Sequence, residues 1–272
     1  MKDKQISTPT NRISLLKDRL KTRFWDFISV SLLITIFLLP LIIWNMSLTY
    51  SDSFVMNEDN YLLTGLIVFG PYIIFIMIFG LGITGALYYS KRLAFGEGAN
   101  TVKDFFYGIK INLKSSLIGF FILGLFYFLL AYGKIIIIYN GDLNEMWKGV
   151  VIGLLYVAFI FIFLIISFYL TQNIIYKATF NQYISNSIRF TFGMAGWNML
   201  ILLVVLFPFF IYEFVPFALA RYIAIGISAL FYFEFSVFVF SIYSHAIFDL
   251  TINDDYPEIY RKGLSKEDNL EN

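Results

Sequence analysis

The chain has 272 residues, of which 59% are hydrophobic and only 14% are charged. Charged residues make up about a quarter of an ordinary soluble domain, so this composition excludes that class and indicates a polytopic membrane protein. The net charge of +1 provides no basic field for nucleic acid. With no cysteine and one histidine, the chain also excludes disulfides, thiolate chemistry and a multi-histidine metal site.

Residues 1–26 form a basic segment directly before the first apolar block. This segment carries seven basic side chains: Lys2, Lys4, Arg12, Lys17, Arg19, Lys21 and Arg23. It resembles the n-region of a signal peptide, but the apolar run from Phe27 to about Trp44 is too long for an h-region. No small-x-small cleavage site follows the run. We therefore expect an uncleaved signal anchor that forms the first span.

Six apolar blocks are long enough to cross a bilayer, which requires about 20 residues of helix. They lie near 27–49, 61–89, 116–138, 149–171, 197–215 and 222–246. The pattern predicts an all-α transmembrane bundle of about six spans over residues 27–247, with amphipathic interfacial helices. The polar tail at 248–272 is predicted to form a short helix followed by disorder, because Pro257 interrupts any continuous helix.

The basic residues predict the orientation of these spans. Only Lys134, Lys148 and Arg221 fall on one side of the predicted bundle, which leaves 17 of the 20 lysines and arginines on the other. Short loops rich in lysine and arginine are retained in the cytoplasm. We therefore expect a multi-pass protein of the cell membrane with both termini cytoplasmic.

The second apolar block is too long to cross straight and contains Gly70–Pro71. A proline inside a helix removes a backbone hydrogen bond and its ring clashes with the preceding turn, so we expect a kink there. Further along lie Gly80, Gly82 and Gly85, and the favoured interpretation is that they allow close contact between helices. The alternative is that they loosen the helix.

Two loops on the basic side have apolar residues at helical spacing. The first is predicted to be an amphipathic helix attracted to anionic inner-leaflet lipids, and its residues are Lys103, Phe105, Phe106, Ile109, Lys110, Leu113 and Lys114. The second carries Phe180, Tyr183, Ile184, Ile188 and Phe192 on one face. A shift of 79 residues aligns the two loops, which indicates either an internal repeat or chance similarity of two membrane sequences.

Glu234 is the candidate ion or proton site because it lies deep in the last block, where an ionised carboxylate is unfavourable unless it is paired or hydrated. The alternative is a protonated glutamic acid that hydrogen-bonds a neighbouring helix. His245 and Ser241 have base–nucleophile spacing but no acid partner or oxyanion hole. Glu213 and Arg221 flank a short turn, where we expect a local ion pair.

Enzyme signatures are missing from the sequence. It contains no H-E-x-x-H, no G-x-x-x-x-G-K-[ST], no G-x-S-x-G and no pair of intramembrane aspartates. Gly96-Glu97-Gly98 is a turn without a phosphate-binding pattern. We therefore predict a protein that is not an enzyme and that binds no cofactor, metal or nucleic acid.

The stretch ITGALYYSKRLAFGEGANTVKDFFYGIKINLK at residues 83–114 resembles the YesL-like family of bacterial integral membrane proteins of unknown function. The matching residues are Thr84, Ala86-Leu87-Tyr88-Tyr89, Lys91-Arg92, Gly96-Glu97, Asp104-Phe105-Phe106, Lys110, Asn112 and Lys114. The family commonly has Gly-Pro before Ala-Leu-Tyr, whereas this chain has Leu81-Gly82-Ile83. The resemblance implies an all-helical plasma-membrane protein of Gram-positive-type bacteria and no catalytic residues.

The resemblance also implies a link to carbohydrate uptake, since such proteins are often encoded beside sugar transport systems. We therefore expect a non-enzymatic accessory or regulatory component of a transport or envelope complex, with ABC-transporter subunits as candidate partners. The alternative is a small secondary transporter or channel in which Glu234 binds a proton or cation.

Overall fold

The computed structural model describes residues 9–49, 54, 56–139 and 144–265, and these ranges contain helices and turns without a strand. The chain is a multi-pass, all-α membrane protein. In chain order the helices are α1 (Arg12–Thr22), α2 (Phe24–Thr49), α3 (Tyr61–Phe69), α4 (Tyr72–Ala94), α5 (Thr101–Tyr139), α6 (Glu145–Ile175), α7 (Phe180–Gly193), α8 (Ala195–Val205), α9 (Phe207–Phe214), α10 (Ala218–Ile227) and α11 (Phe233–Thr251). A π-helical turn, Ser228–Tyr232, joins the last two helices, and the 3₁₀ turn Asn253–Asp255 follows α11.

Five helical stretches are long and apolar enough to cross a membrane: Phe24–Leu48, Tyr61–Ala94, Thr101–Tyr139, Glu145–Ile175 and Leu219–Thr251. Each overlaps one of the predicted spans, which confirms those five. The predicted span at 197–215 is not a continuous helix. The 11 residues of α8 are too few to cross a bilayer, and a new helix begins after Leu206 with a proline in its first turn.

Together α7 and α8 make a sixth candidate span, bent by 93°. The buried side chain of Asn198 stabilises this bend, because its amide donates to the carbonyl oxygens of Phe190 at 3.0 Å and Thr191 at 2.8 Å. Those carbonyls belong to the last turn of α7, where backbone carbonyls have no N–H partner within the same helix. The start of α7 is also capped, by a reciprocal pair of hydrogen bonds between Thr179 and Gln182.

The predicted kink in the second span is confirmed as a break between α3 and α4 at Gly70–Pro71. Residues 102–113, predicted as an amphipathic helix, are continuous with the span that follows them. They are the first turns of α5, which runs unbroken for 39 residues and contains no proline to interrupt it. Since α7 is a separate helix, the two members of the candidate repeat differ at this point.

The described chain forms two compact units. Unit 1 comprises Met1–Ile34, Gly85–Lys110 and Met199–Asn272, and unit 2 comprises Thr35–Thr84 and Ile111–Asn198. In unit 1 the core includes the fully buried rings of Phe27, Phe105, Phe238 and Phe248. The sequence predicts a short helix and then disorder for the tail at 248–272. The described part of this tail contains the end of α11, the 3₁₀ turn Asn253–Asp255 and turns up to Ser265, whose amide donates to the carbonyl of Pro9 at 2.8 Å. Residues 266–272 lie outside the described part.

Unit 2 is held by close approach of helices at glycine. A Cβ built on Gly80 would lie 2.0 Å from the ring of Phe120 on α5, and one on Gly124 would lie 3.0 Å from the backbone of Ile73 on α4. Beside this contact the hydroxyls of Thr84 and Ser116 share a buried hydrogen bond of 2.7 Å. The packing interpretation of the glycines is confirmed, because no larger residue fits at Gly80.

Candidate functional site

In unit 1, the α11 helix carries a row of buried polar side chains. Glu234 is 0% exposed, Ser241 is 1% exposed and His245 is 2% exposed. Seven residues separate the first two and four separate the last two, so the three lie near one face of the helix. Ser236 and Ser244 are buried on the same helix. Such a row is unusual in a span, where buried polar groups normally face a partner or a cavity.

Glu234 connects α11 with two other helices of unit 1. Its Oε1 accepts a hydrogen bond of 2.7 Å from the hydroxyl of Ser90 on α4, and its backbone N–H donates to the hydroxyl of Ser31 on α2 at 3.0 Å. The second carboxyl oxygen, Oε2, has no hydrogen-bond partner among the described residues. The carboxyl group is therefore sealed from lipid and solvent, with one oxygen available to hold a proton or a small cation.

A π-helical turn at Ser228–Tyr232 lies immediately before Glu234. The N–H of Phe233 reaches back to the carbonyl of Ser228 across this wider turn. Single π turns within α-helices are frequent at functional sites because they shift the register of the residues that follow.

His245 and Ser241 do not form a catalytic pair. The Nε2 atom of His245 and the hydroxyl of Ser241 both lack a hydrogen-bond partner within the described chain. The imidazole packs instead on the ring of Phe95, with centroids 4.9 Å apart. A nucleophile needs a base within hydrogen-bonding distance, so this arrangement provides none.

In the last turn of α11, an ion pair ties the N-terminal helix to the C-terminal segment. Arg12 Nη2 lies 2.6 Å from Asp249 Oδ2, and the two side chains are 11% and 12% exposed. The other carboxylate oxygen of Asp249 accepts from the amide of Asn253 and from the backbone N–H of Arg261. Arg12 also donates to the carbonyl of Lys262. One partly buried carboxylate thus connects both terminal segments of unit 1.

A second group of charges surrounds the turn between α4 and α5. Arg92 pairs with Asp104 at 2.5 Å and with Glu97 at 3.4 Å, and Lys262 donates to Glu97 at 2.9 Å. Partial burial raises the pKa of Glu97, but the Lys262 hydrogen bond and the charges of Lys262, Lys91 and Arg92 outweigh it and lower that pKa overall. The Lys262 ammonium also lies 4.8 Å from the centroid of the Phe95 ring.

The predicted interfacial residues of α5 do not share one exposed face. Phe105 is fully buried, packed where a Cβ on Gly85 would come within 3.0 Å of its ring. Ile109 is half-buried, and the exposed members are Lys103, Phe106, Lys110, Leu113 and Lys114.

The Glu213 side chain, and with it the predicted ion pair to Arg221, lies outside the described residues. Arg221 Nε donates to the carbonyl of Val215 at 2.7 Å.

Sequence reasoning identified Glu234 but missed its partners Ser31 and Ser90 and the acidic partner of Arg92, Asp104. Serines are common in transmembrane helices, so the only available signal was their position among large apolar residues.

Within the described ranges no group of three or more histidine or acidic residues could hold a metal ion. No protein family, curated protein or solved structure matches this chain.

Proposed function

We propose that this protein is a non-enzymatic accessory or regulatory component of a membrane complex. The observation that carries the proposal is the charged cluster of unit 1, in which Arg12, Asp249, Arg92, Glu97 and Lys262 order both terminal segments. Charge networks of this kind present a surface of defined shape, which is what recognition of a protein partner requires. Exposed apolar side chains accompany the cluster, with Ile13 68% exposed and Leu250 74% exposed.

We further propose that this cluster faces the cytoplasm of a cell whose plasma membrane holds the protein. The excess of lysine and arginine on that side supports this orientation. Single cysteines at positions 57, 98 and 265 test it with an impermeant maleimide on intact cells. Labelling at 57 alone is expected, and labelling at 98 and 265 but not at 57 would reverse the orientation.

The resemblance to the YesL-like family supports a transport system for carbohydrate as the partner, with ABC-transporter subunits as the candidates. Several residues that carry the resemblance also hold the structure of unit 1. Arg92, Glu97 and Asp104 form the charged turn, and Tyr89 donates to Asp26 at 3.0 Å. The resemblance therefore falls on residues with a structural role in the proposed partner surface.

Affinity purification from native membranes in mild detergent tests the accessory role. The intact protein is expected to retain a reproducible partner, whereas Asp249→Asn should release it because the terminal segments lose their shared carboxylate. Glu258→Gln, an exposed site on the same segment, is the matched control and should keep the partner. Solute flux through the purified protein alone, with no partner recovered from membranes, would contradict the proposal.

A second candidate function is transport or conduction, with Glu234 as the proton- or cation-binding group. The specific observation in its favour is the free Oε2 atom directly after a π-helical turn, with Ser90 on the other oxygen. Interrupted helices and buried carboxylates mark central sites in transporters. Because Glu234 is fully buried, an ion would reach it only after unit 1 changes conformation.

Reconstitution into liposomes tests this candidate with two probes, a pH-sensitive dye trapped inside and radioactive sodium. Glu234→Gln should abolish proton- or sodium-dependent flux and leave thermal unfolding unchanged. Ser236→Ala is the control, since it alters a buried polar neighbour and removes no titratable group. Absence of flux in the unmodified protein, or equal flux in Glu234→Gln, would eliminate transport through this residue.

A further inference from the structure

Unit 2 contains an open groove of about 490 Å³ that is separate from the polar row of unit 1. It is lined by Lys114, Ser115 and Ile118 of α5, Tyr169 and Asn173 of α6, and Phe180 and Tyr183 of α7. The groove lies where α6 ends and α7 begins, at the end of the spans that we propose to be cytoplasmic. Its volume falls in the range of sites that bind small molecules.

The polar groups that the groove offers are hydrogen-bond donors. The ammonium group of Lys114 is exposed and makes no ion pair with a described residue. Asn173 uses its Oδ1 to accept a 2.6 Å hydrogen bond from Ser115, which leaves its Nδ2 group without a partner in the described chain. The Lys114 ammonium thus offers three N–H donors and the Asn173 amide offers two, and both residues line the groove.

Tyr169 adds a third donor from deeper in the groove. Its side chain is only 3% exposed, yet its hydroxyl has no hydrogen-bond partner among the described residues. The neighbouring Tyr183 differs, because its hydroxyl donates to the carbonyl of Tyr176 and accepts from the N–H of Ala178. The ring of Tyr169 is buried while its hydroxyl opens into the groove, so the hydroxyl can donate to an oxygen of a bound ligand.

Charge favours an anion here. From Ile111 to Asn198 the sequence contains only two acidic residues, Asp142 and Glu145, and both follow the outer end of α5. The opposite end of unit 2 carries the exposed cations Lys114, Lys177 and Arg189 with no acidic residue of its own. An anion at Lys114 therefore meets attraction and no local repulsion.

The walls of the groove are apolar and continue into the membrane. Ile118 lies four residues beyond Lys114, about 6 Å along the helix axis toward the bilayer interior. Phe180 forms the opposite wall and is 49% exposed. A ligand held by its anionic group at Lys114 would thus place an attached hydrocarbon chain along these two side chains.

We propose that this groove binds one anionic phospholipid, with the phosphate held by Lys114, Tyr169 and Asn173 and an acyl chain along Ile118 and Phe180. The binding adds a site-specific lipid contact to the general attraction of a basic surface for anionic membranes. It is independent of the accessory or transport role proposed above.

Native mass spectrometry of the full-length protein in detergent tests the proposal, with phosphatidylglycerol and phosphatidylcholine as probes. One copy of phosphatidylglycerol is expected to bind at least about tenfold more tightly than phosphatidylcholine. Lys114→Gln should weaken phosphatidylglycerol about tenfold, as for loss of a charge-assisted hydrogen bond, and Tyr169→Phe about threefold. Lys114→Arg should restore binding, which separates loss of the charge from misfolding.

Lys177→Gln is the matched control, since it removes an exposed cation of the same unit that does not line the groove. It should leave the affinity unchanged. An equal loss in Lys177→Gln and Lys114→Gln would overturn the proposal in favour of diffuse attraction. Displacement of the lipid by millimolar inorganic phosphate would also overturn it, because the site would then bind a soluble anion.

Discussion

Ionisable side chains join helices in unit 1, where Glu234 meets Ser31 and Ser90 inside the spans and Arg12 meets Asp249 at their end. In unit 2 the contact between α4 and α5 is uncharged. There Gly80 lies against Phe120, Gly124 lies against the backbone of Ile73, and Thr84 shares a hydrogen bond with Ser116. Lipid tails are as apolar as the side chains of a span, so the hydrophobic effect does not favour helix–helix contact over helix–lipid contact. Hydrogen bonds and close packing therefore make helices associate specifically.

The same contrast extends to the charged ends of the spans. In unit 1 the cations Arg12, Arg92 and Lys262 each pair with an acidic side chain. In unit 2 the cations Lys114, Lys177 and Arg189 have no such partner among the described residues. Paired charges order the protein itself, whereas unpaired cations remain available to an external anion. This difference is the reason for proposing a protein partner for unit 1 and a lipid for unit 2.

The largest effect on stability is expected from the ion pair of unit 1. Asp249→Asn should lower the free energy of unfolding by about 3 kcal/mol, because a largely buried arginine then lacks its counter-charge. Thermal or denaturant unfolding in detergent measures the change. Combined with Arg12→Gln, the loss should be smaller than the sum of the two single losses. Strict additivity would show that the pair contributes nothing as a pair.

The next largest effect on stability is expected at the close helix contact of unit 2. Gly80→Ala should destabilise by about 2 kcal/mol, because the new methyl group overlaps the Phe120 ring. Gly153→Ala is the control, since nothing lies within 4 Å of its added Cβ, and helix propensity should make it neutral or stabilising by up to about 1 kcal/mol. Adding Phe120→Leu should recover stability in the Gly80 variant but not in the Gly153 variant.

The smallest effect concerns the dependence of unit 1 on pH. The folded protein lowers the pKa of Glu97 below its ordinary value of 4.5, so the ionised carboxylate stabilises the fold. This contribution is complete above pH 4.5 and is lost as the pH falls below that value through the folded pKa. Melting temperatures of the unmodified protein and Glu97→Gln should therefore converge under acid conditions. A constant difference at every pH would contradict the assignment.

Local signals in the sequence predicted much of the architecture. Apolar length located five spans, and Pro71 located the break between α3 and α4. The fifth predicted span is interrupted at Leu206, because hydropathy over residues 197–215 does not report a break in the helix. The amphipathic helix predicted at 102–113 is the start of α5, and its boundary with the span is not visible in the sequence because an amphipathic pattern does not by itself end a helix.

Within the candidate sites, the sequence by itself determined the types of chemistry present. It provided one deep carboxylate, one histidine, no cysteine and a basic side of the membrane. Only the tertiary structure decided that Ser31 and Ser90 meet Glu234, that Asp249 binds Arg12, and that Tyr169 keeps a free hydroxyl. Composition and periodicity depend on neighbours along the chain, whereas these contacts join residues far apart in sequence and are selected by the packing of whole helices.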